Sequence, residues 1–435
     1  MLTLLFACTG APDSFTSSPG EGGFRITPEG SPEASTWEVP TSSSWVADTA
    51  SEPEPELPTS LSPWITRTDI VLPEANFPAH QSYGTFEHNS INPRGYHATL
   101  DDGRLVMGWT SNTWRGYVSV VEDGAITENF TWDGHMVRGL TADLDGFTVM
   151  LLEDPTGSPR MWLARYDWDG AELWAKDMNI TANVPKLYLD GSGWLGDTRL
   201  ATNGDGYAAY FPVQNPDGHH GDQYTLYSAD GELQSGGWNW GCSHAMANLV
   251  EAHPTTGDFL PVCVSDTYPS YGVIARASTR IYEAGSAENG LVSASFGQLA
   301  PTDEGWLLAF NAMERPCCEA HGVAIVELDI HGTPVSEVIW ITDTAGIDER
   351  DPVLARVGQD RYLIGWRDTA TDAFPLLIID KAGNTLVAED DVLDNNIFWG
   401  RRDDSFKVAP DGSVTWIAGA NNYGTMFAFR FSLED

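Results

Sequence analysis

Four tryptophans stand just ahead of a glycine, and polar side chains follow each pair. They are Trp132 before Gly134 and His135, Trp194 before Gly196 and Asp197, Trp240 before Gly241 and His244, and Trp399 before Gly400 and Arg401. Similar polar groups recur at comparable places. They are Arg94 and His97, His135 and Arg138, Asp197 and Arg199, His244 and Asn248, Ser293 and Ser295, then Glu349, Arg350 and Asp351, and last Arg401, Arg402, Asp403 and Asp404. Six arginines thus gather in a chain that holds only 23 Lys+Arg. Flat aromatic faces beside guanidinium and imidazole donors suit a sugar, a peptide end or a small anion. The candidate ligand-binding set is therefore Arg94, His97, Trp132, His135, Arg138, Trp194, Asp197, Arg199, Trp240, His244, Arg350, Trp399, Arg401 and Arg402. A structural reading of the same residues stands beside it. Trp next to Gly wedges neighbouring units apart, and the arginines pair with Asp197, Asp351, Asp403 and Asp404.

Catalytic motifs are absent. There is no G-x-S-x-G, H-E-x-x-H, P-loop or strand-borne G-x-G-x-x-G, and no catalytic residue is assigned. An enzyme reading, hydrolase or lyase, needs an acid–base pair such as His135 or His244 beside a carboxylate. Asp411-Gly-Ser-Val-Thr-Trp416 has the residues of a sialidase Asp-box in the wrong order. Asp167-Trp-Asp-Gly170-Ala-Glu-Leu-Trp174 resembles the D-x-x-G-x-x-x-W blade motif of quinoprotein dehydrogenases, but occurs once. No cofactor and no metal site are expected. Calcium is a minor alternative at Asp143-Leu-Asp145-Gly and Asp167-Trp-Asp169-Gly, which lack the bidentate Glu at the usual spacing.

The elements that position these residues are short strands closed by polar turns. Asp or Glu with Gly or Arg leads into an apolar run at 102–109, 145–151, 205–210, 257–262, 304–310, 360–366 and 411–417. A second turn follows most of these, at Gly124, Gly170, Gly231, Gly332 and Gly383. Two hairpins per unit of roughly 50 residues make a four-stranded blade, and blades stacked radially make a β-propeller. One such sheet cannot bury both its faces alone, so the units must stack. Seven units predict an all-β, seven-bladed β-propeller of four-stranded antiparallel blades over residues 64–435. The chain ends after Met426–Phe431 with what reads as the third strand of the last blade, and residues 64–72 supply the fourth, closing the ring without a covalent bond.

Composition narrows the partners. A net charge of −39 and a pI near 4.3 repel phosphate backbones and anionic surfaces, so nucleic acid is not expected. No apolar run of the length that spans a bilayer occurs. A monomer is expected.

Met1–Ala7 is apolar, and Leu5-Phe6-Ala7-Cys8 resembles the bacterial lipobox, in which a small residue precedes the Cys that takes the lipid. Phe6 and the missing basic residues depart from that pattern. Residues 9–63 are rich in Ser, Thr, Pro, Gly and Glu, with nine acidic residues against Arg25. They read as a disordered, self-repelling tether. Membrane association is then by lipid anchor at Cys8 alone, and Thr9 in place of Asp favours the outer membrane or cell surface. Removing Cys8 leaves Cys242, Cys263, Cys317 and Cys318, an even number suited to an oxidising compartment. A hairpin turn near 253–254 would set Cys242 opposite Cys263, and adjacent Cys317–Cys318 would form a vicinal pair. The whole resembles the anchored β-propeller lipoproteins of Gram-negative bacteria. That resemblance implies a cell-envelope binding or scaffolding module for a glycan, peptide or protein, and assigns no catalytic residue.

Overall fold

A computed structural model describes residues 57–76, 95–153, 159–181, 198–214, 220–234, 238–239, 248–265, 270–276, 279–286, 294–313, 320–342, 346–347, 349–371, 373–389, 397–398, 406–420 and 423–433. Cys8 and the expected tether, apart from its last residues, lie outside them. Within this set, apart from one-turn helices at Ser62–Trp64 and Met178–Thr181, the regular structure is β.

Seven sheets form, each built from consecutive antiparallel hairpins. Blade one is Gly95–Thr99, Leu105–Thr110, Arg115–Glu122 and Ala125–Asp133; blade two is His135–Asp143, Gly146–Glu153, Arg160–Asp167 and Glu172–Asp177. Blade three is Arg199–Thr202, Gly206–Gln214, His220–Ser228 and Trp238–Asn239; blade four is Asn248–Ala252, Phe259–Ser265, Ser270–Ala275 and Thr279–Ser286. Blade five is Ala294–Pro301, Gly305–Met313, His321–Asp329 and Ile339–Trp340; blade six is Glu349–Gly358, Arg361–Asp368, Leu376–Asp380 and Thr385–Glu389. In blade seven the inner position is shared by Ile397–Phe398 and Lys407–Val408, followed by Val414–Ala420 and Thr425–Phe431. Its outermost strand is Ile65–Val71, paired antiparallel to Thr425–Phe431 from Ile65↔Phe431 to Val71↔Thr425. The expected closure by the N-terminal strand therefore forms, within a residue of the boundaries read from the sequence.

Local chemistry explains the hairpins. In four blades an Asp or Ser begins the outer turn and a glycine three residues later adopts positive φ: Gly170 (82°), Gly231 (77°), Gly332 (85°) and Gly383 (79°). A non-glycine residue would be strained there. The side chain at the turn's first position accepts the amide N–H four residues on: Asp167 from Ala171 at 2.8 Å, Ser228 from Glu232 at 3.1 Å, Asp329 from Thr333 at 2.8 Å and Asp380 from Asn384 at 2.8 Å. These bonds, working against partial burial, hold the Asp329 and Asp380 carboxyls below the usual range.

The core lies between blades. Gly146–Glu153 is buried almost throughout rather than on alternate residues, because both faces of a second strand meet a neighbouring sheet. Outer strands such as Ala125–Asp133 alternate, with one face in water. Leu249, Leu260 and Val262 of blade four interlock with Leu299, Trp306, Leu308 and Phe310 of blade five. Blades five and six approach so closely that a Cβ on Gly297 would lie 1.4 Å from the Pro352 carbonyl oxygen. Only glycine fits at that position.

Candidate functional site

Side chains on the innermost strands cross between blades. Tyr96 of blade one lies 3.2 Å from the Thr198 hydroxyl, and that hydroxyl donates to the Arg138 carbonyl at 2.6 Å. The Thr198 hydrogen is thus committed to blade two, so the Tyr96 phenol is the donor to Thr198. His97 Nε2 donates to the Thr415 carbonyl of blade seven at 3.1 Å. Arg138 sits at a bulge between Val137 and Gly139 and is 0% exposed, while Arg199 is 5% exposed. Asn248 and Glu349 are buried at the equivalent places in blades four and six. Arg350 is half-buried, and buried Asp351 beside it takes φ 55°. In blade three, Tyr210 pairs with Arg199 across the strands and hydrogen-bonds buried Asp222. Burial, reinforced by the Asp222 charge, pushes the Tyr210 phenol well above its usual range.

Buried guanidinium groups cost several kcal/mol unless polar partners surround them. Their burial makes Arg138 and Arg199 part of a packed polar hub rather than an open funnel. Such a hub holds blades in register.

Trp132 and His135 fall elsewhere. Trp132 lies on the outermost strand of blade one and His135 begins the innermost strand of blade two. Together they line a lateral cleft of about 370 Å³ against the face of blade two, with Glu153, Trp162, Tyr166 and Glu172. Trp132 Nε1 donates to Tyr166 Oη at 3.2 Å, and their ring centroids are 5.3 Å apart at 55°. Trp162 Nε1 donates to Glu153 Oε2 at 2.8 Å, Tyr166 Oη donates to Glu172 Oε2 at 3.3 Å, and His135 Nδ1 lies 2.8 Å from the Asp133 carbonyl oxygen. Burial raises the Tyr166 phenol above its usual range, so it keeps its proton at neutral pH. Arg94, Trp194, Asp197, Trp240, His244, Trp399, Arg401 and Arg402 lie outside the described residues.

The cysteine geometry needs a correction. Asn248, not Cys242, is the cross-strand neighbour of Cys263. The turn is longer than expected because the His253 ring accepts the amides of Thr255 and Thr256 at 3.3 Å, and the strands close at His253 N–Asp258 O, 2.8 Å. The register consequently shifts toward the C-terminus. Cys263 is buried and disulfide-bonded. Cys242, Cys317 and Cys318 lie outside the described residues.

Two sequence motifs have structural occupations. Asp143 accepts the Asp145 and Gly146 amides and grips Arg165 through both oxygens at 2.9 Å. Trp174 of the quinoprotein-like segment donates to the Ala229 carbonyl of blade three at 3.1 Å. It packs on Gly231, where a Cβ would lie 2.6 Å away, so it fastens one blade to the next. Among the described residues no group of three or more His, Cys, Asp or Glu is placed to hold a metal ion.

Sequence reasoning missed Gln298, a buried residue of blade five. Its Oε1 accepts the Leu354 amide at 3.1 Å and the Phe406 amide at 3.0 Å, and its Nε2 donates to the Phe406 carbonyl. One side chain thereby ties together three blades. A polar residue in an apolar stretch, Phe296-Gly-Gln-Leu-Ala300, was the available signal.

No protein-family profile and no curated protein sequence matches the chain. Among solved structures, the Neurospora crassa Pan2 WD40 domain superposes with a TM-score of 0.46 at 9% identity, covering 86% of this chain and 98% of that one. The Myceliophteria thermophila Cps50 (Swd1) β-propeller domain gives 0.43 at 11%, covering 82% and 99%. Puromycin hydrolase gives 0.42 at 12%, covering 83% of this chain and 58% of the hydrolase. The strand pairings themselves define the chain as a seven-bladed β-propeller.

Proposed function

We propose that the chain is a lipid-anchored propeller of the bacterial cell envelope, held by Cys8 and spaced from the membrane by residues 9–63, with Cys242 paired to Cys263. It works there as a monomeric binding or scaffolding module. Its ligand, a glycan, a peptide end or a small anion, engages the end of the ring where the inner strands begin. The observation carrying this reading is the burial of Arg138 and Arg199 at adjacent inner-strand starts, joined to blade one through Thr198 and Tyr96. Guanidinium chemistry matches carboxylate, sulfate or phosphate oxygens.

Calorimetric screening of small anions, acidic peptides and glycans tests this reading, with turnover assays run on the same protein. Arg401→Ala is expected to weaken the ligand by about 1–3 kcal/mol while the domain stays folded. Loss of folding with no ligand found would instead assign the arginines to holding the ring. Turnover abolished by His244→Ala with binding intact would move the protein to the hydrolase or lyase class.

Location has its own test. Cys8→Ser is expected to move the protein from membrane to soluble fractions, because a lipidated Cys is an anchor and not a span. Unchanged membrane association after Cys8→Ser refutes lipidation.

A further inference from the structure

A second cavity, of about 220 Å³, lies where the inner strands end, among residues of blades four to seven. Glu251 of blade four and Lys407 of blade seven both line it, and Lys407 Nζ lies 3.3 Å from Glu251 Oε1. These two blades are not neighbours in the ring, so the pair reaches across the space that the inner strands enclose. Arg356 of blade six also lines the cavity, held by Asp303 at 2.7 Å and by the Gly358 carbonyl at 3.0 Å. Charges of both signs are thus paired around it. Leu299, Ala300 and Leu354 give it an apolar wall. Trp306 lines it too. That side chain is 0% exposed, and among the described residues its Nε1 finds no hydrogen-bond partner. A buried donor without an acceptor is costly, which favours a ligand that brings one.

We propose that this cavity binds a free α-amino acid as its zwitterion. An α-amino acid carries its ammonium and carboxylate on one carbon, a spacing that matches two charged groups 3.3 Å apart. Set head to tail against the pair, its ammonium faces Glu251 and its carboxylate faces Lys407. Four charges then alternate in sign, and the Glu251–Lys407 pair need not break. The ligand's hydrogen bonds are charge-assisted, and the apolar wall reduces their screening. The second carboxylate oxygen is an acceptor of the kind the Trp306 N–H lacks. A compact apolar side chain packs on Leu299, Ala300 and Leu354. A lone carboxylate meets the Glu251 charge and a lone amine meets the Lys407 charge, so neither is well held. A peptide keeps its two termini apart and cannot present both charges from one carbon. The site lies away from Arg138 and Arg199 and does not rest on the reading given to them.

The test is calorimetric titration of the full chain with L-valine, beside isovalerate, L-valinamide and γ-aminobutyrate. Isovalerate lacks the ammonium, L-valinamide lacks the carboxylate, and γ-aminobutyrate keeps both charges but holds them apart. L-valine is expected to bind saturably, and each of the others about tenfold more weakly or worse. Glu251→Gln and Lys407→Met are each expected to weaken L-valine about tenfold. Both side chains are partly exposed, and a pair of that kind adds little to stability, so the variants fold. The indole N–H resonance of Trp306, identified by its loss in Trp306→Phe, is expected to shift along the same saturation curve. Equal binding of isovalerate or γ-aminobutyrate overturns the proposal, because one charge, or any spacing of two, would then suffice. So does unchanged L-valine affinity in Glu251→Gln, or no saturable response to L-valine by either method.

Discussion

Deleting residues 64–72 is expected to abolish cooperative unfolding of the propeller and to drive it into aggregates. The deletion removes Ile65–Val71, which covers the whole edge of Thr425–Phe431 through seven register pairs. It also removes Ile70 and Leu72, which are 0% and 7% exposed and pack with Met107, Trp109, Ile417 and Met426. Each buried aliphatic side chain contributes about 1.5–3 kcal/mol, and the uncovered strand becomes a pairing template for other chains. Against a typical total stability of about 5–15 kcal/mol the combined loss is decisive. Thermal denaturation and size-exclusion chromatography measure it. A synthetic peptide spanning 62–73 is expected to restore part of the transition. A deletion variant that melts like the parent would show that the ring does not close through this strand.

Gln298→Leu is expected to cost about 3 kcal/mol or more, although leucine is of similar volume and fully compatible with an apolar core. The substitution strands the Leu354 amide, the Phe406 amide and the Phe406 carbonyl where water does not reach. Each stranded backbone group costs about 1–3 kcal/mol. The effect should appear as a lower midpoint of chemical denaturation with the slope unchanged, since the surface exposed on unfolding stays the same. Gln298→Glu keeps both acceptor bonds, loses the donor and buries a charge. It should also destabilise, and progressively less as acid protonates it. A loss below about 1 kcal/mol for Gln298→Leu would mean that water or backbone shifts take over the role.

Much of the ring was legible because its signals are local. Outer turns announce themselves by an Asp or Ser three residues before a glycine, and the structure supplies the bonds that make that spacing necessary. Closure was legible from counting: a spare strand at one end and a missing one at the other. Gln298 was not legible, because its partners lie 56 and 108 residues away and nothing in the local pattern points to them. Trp132 and His135 were singled out without their surroundings. Glu153, Trp162 and Tyr166 sit on the face of the next blade, and pairing across blades leaves no periodic trace. The Cys263 register failed for a different reason. One histidine ring folds two extra amides into a turn, and no spacing rule anticipates a side chain that lengthens its own loop.

The seam in blade seven also sets a clock. Phe431 is made long after Val71; at about 5–20 residues per second, roughly 20 to 70 seconds separate them. Through that interval the first strand lacks its mate, which is made only at the close of it. Its sequence, Ile-Thr-Arg-Thr-Asp-Ile-Val, suits the wait. Arg67 and Asp69 stand 2.7 Å apart on the exposed side of the finished strand, and the same two charges keep the waiting segment solvated and slow to pair with strangers. Once Phe427 arrives, Arg67 settles 4.0 Å over its ring. The residues that guard the strand while it is alone become part of the latch when the last blade is complete.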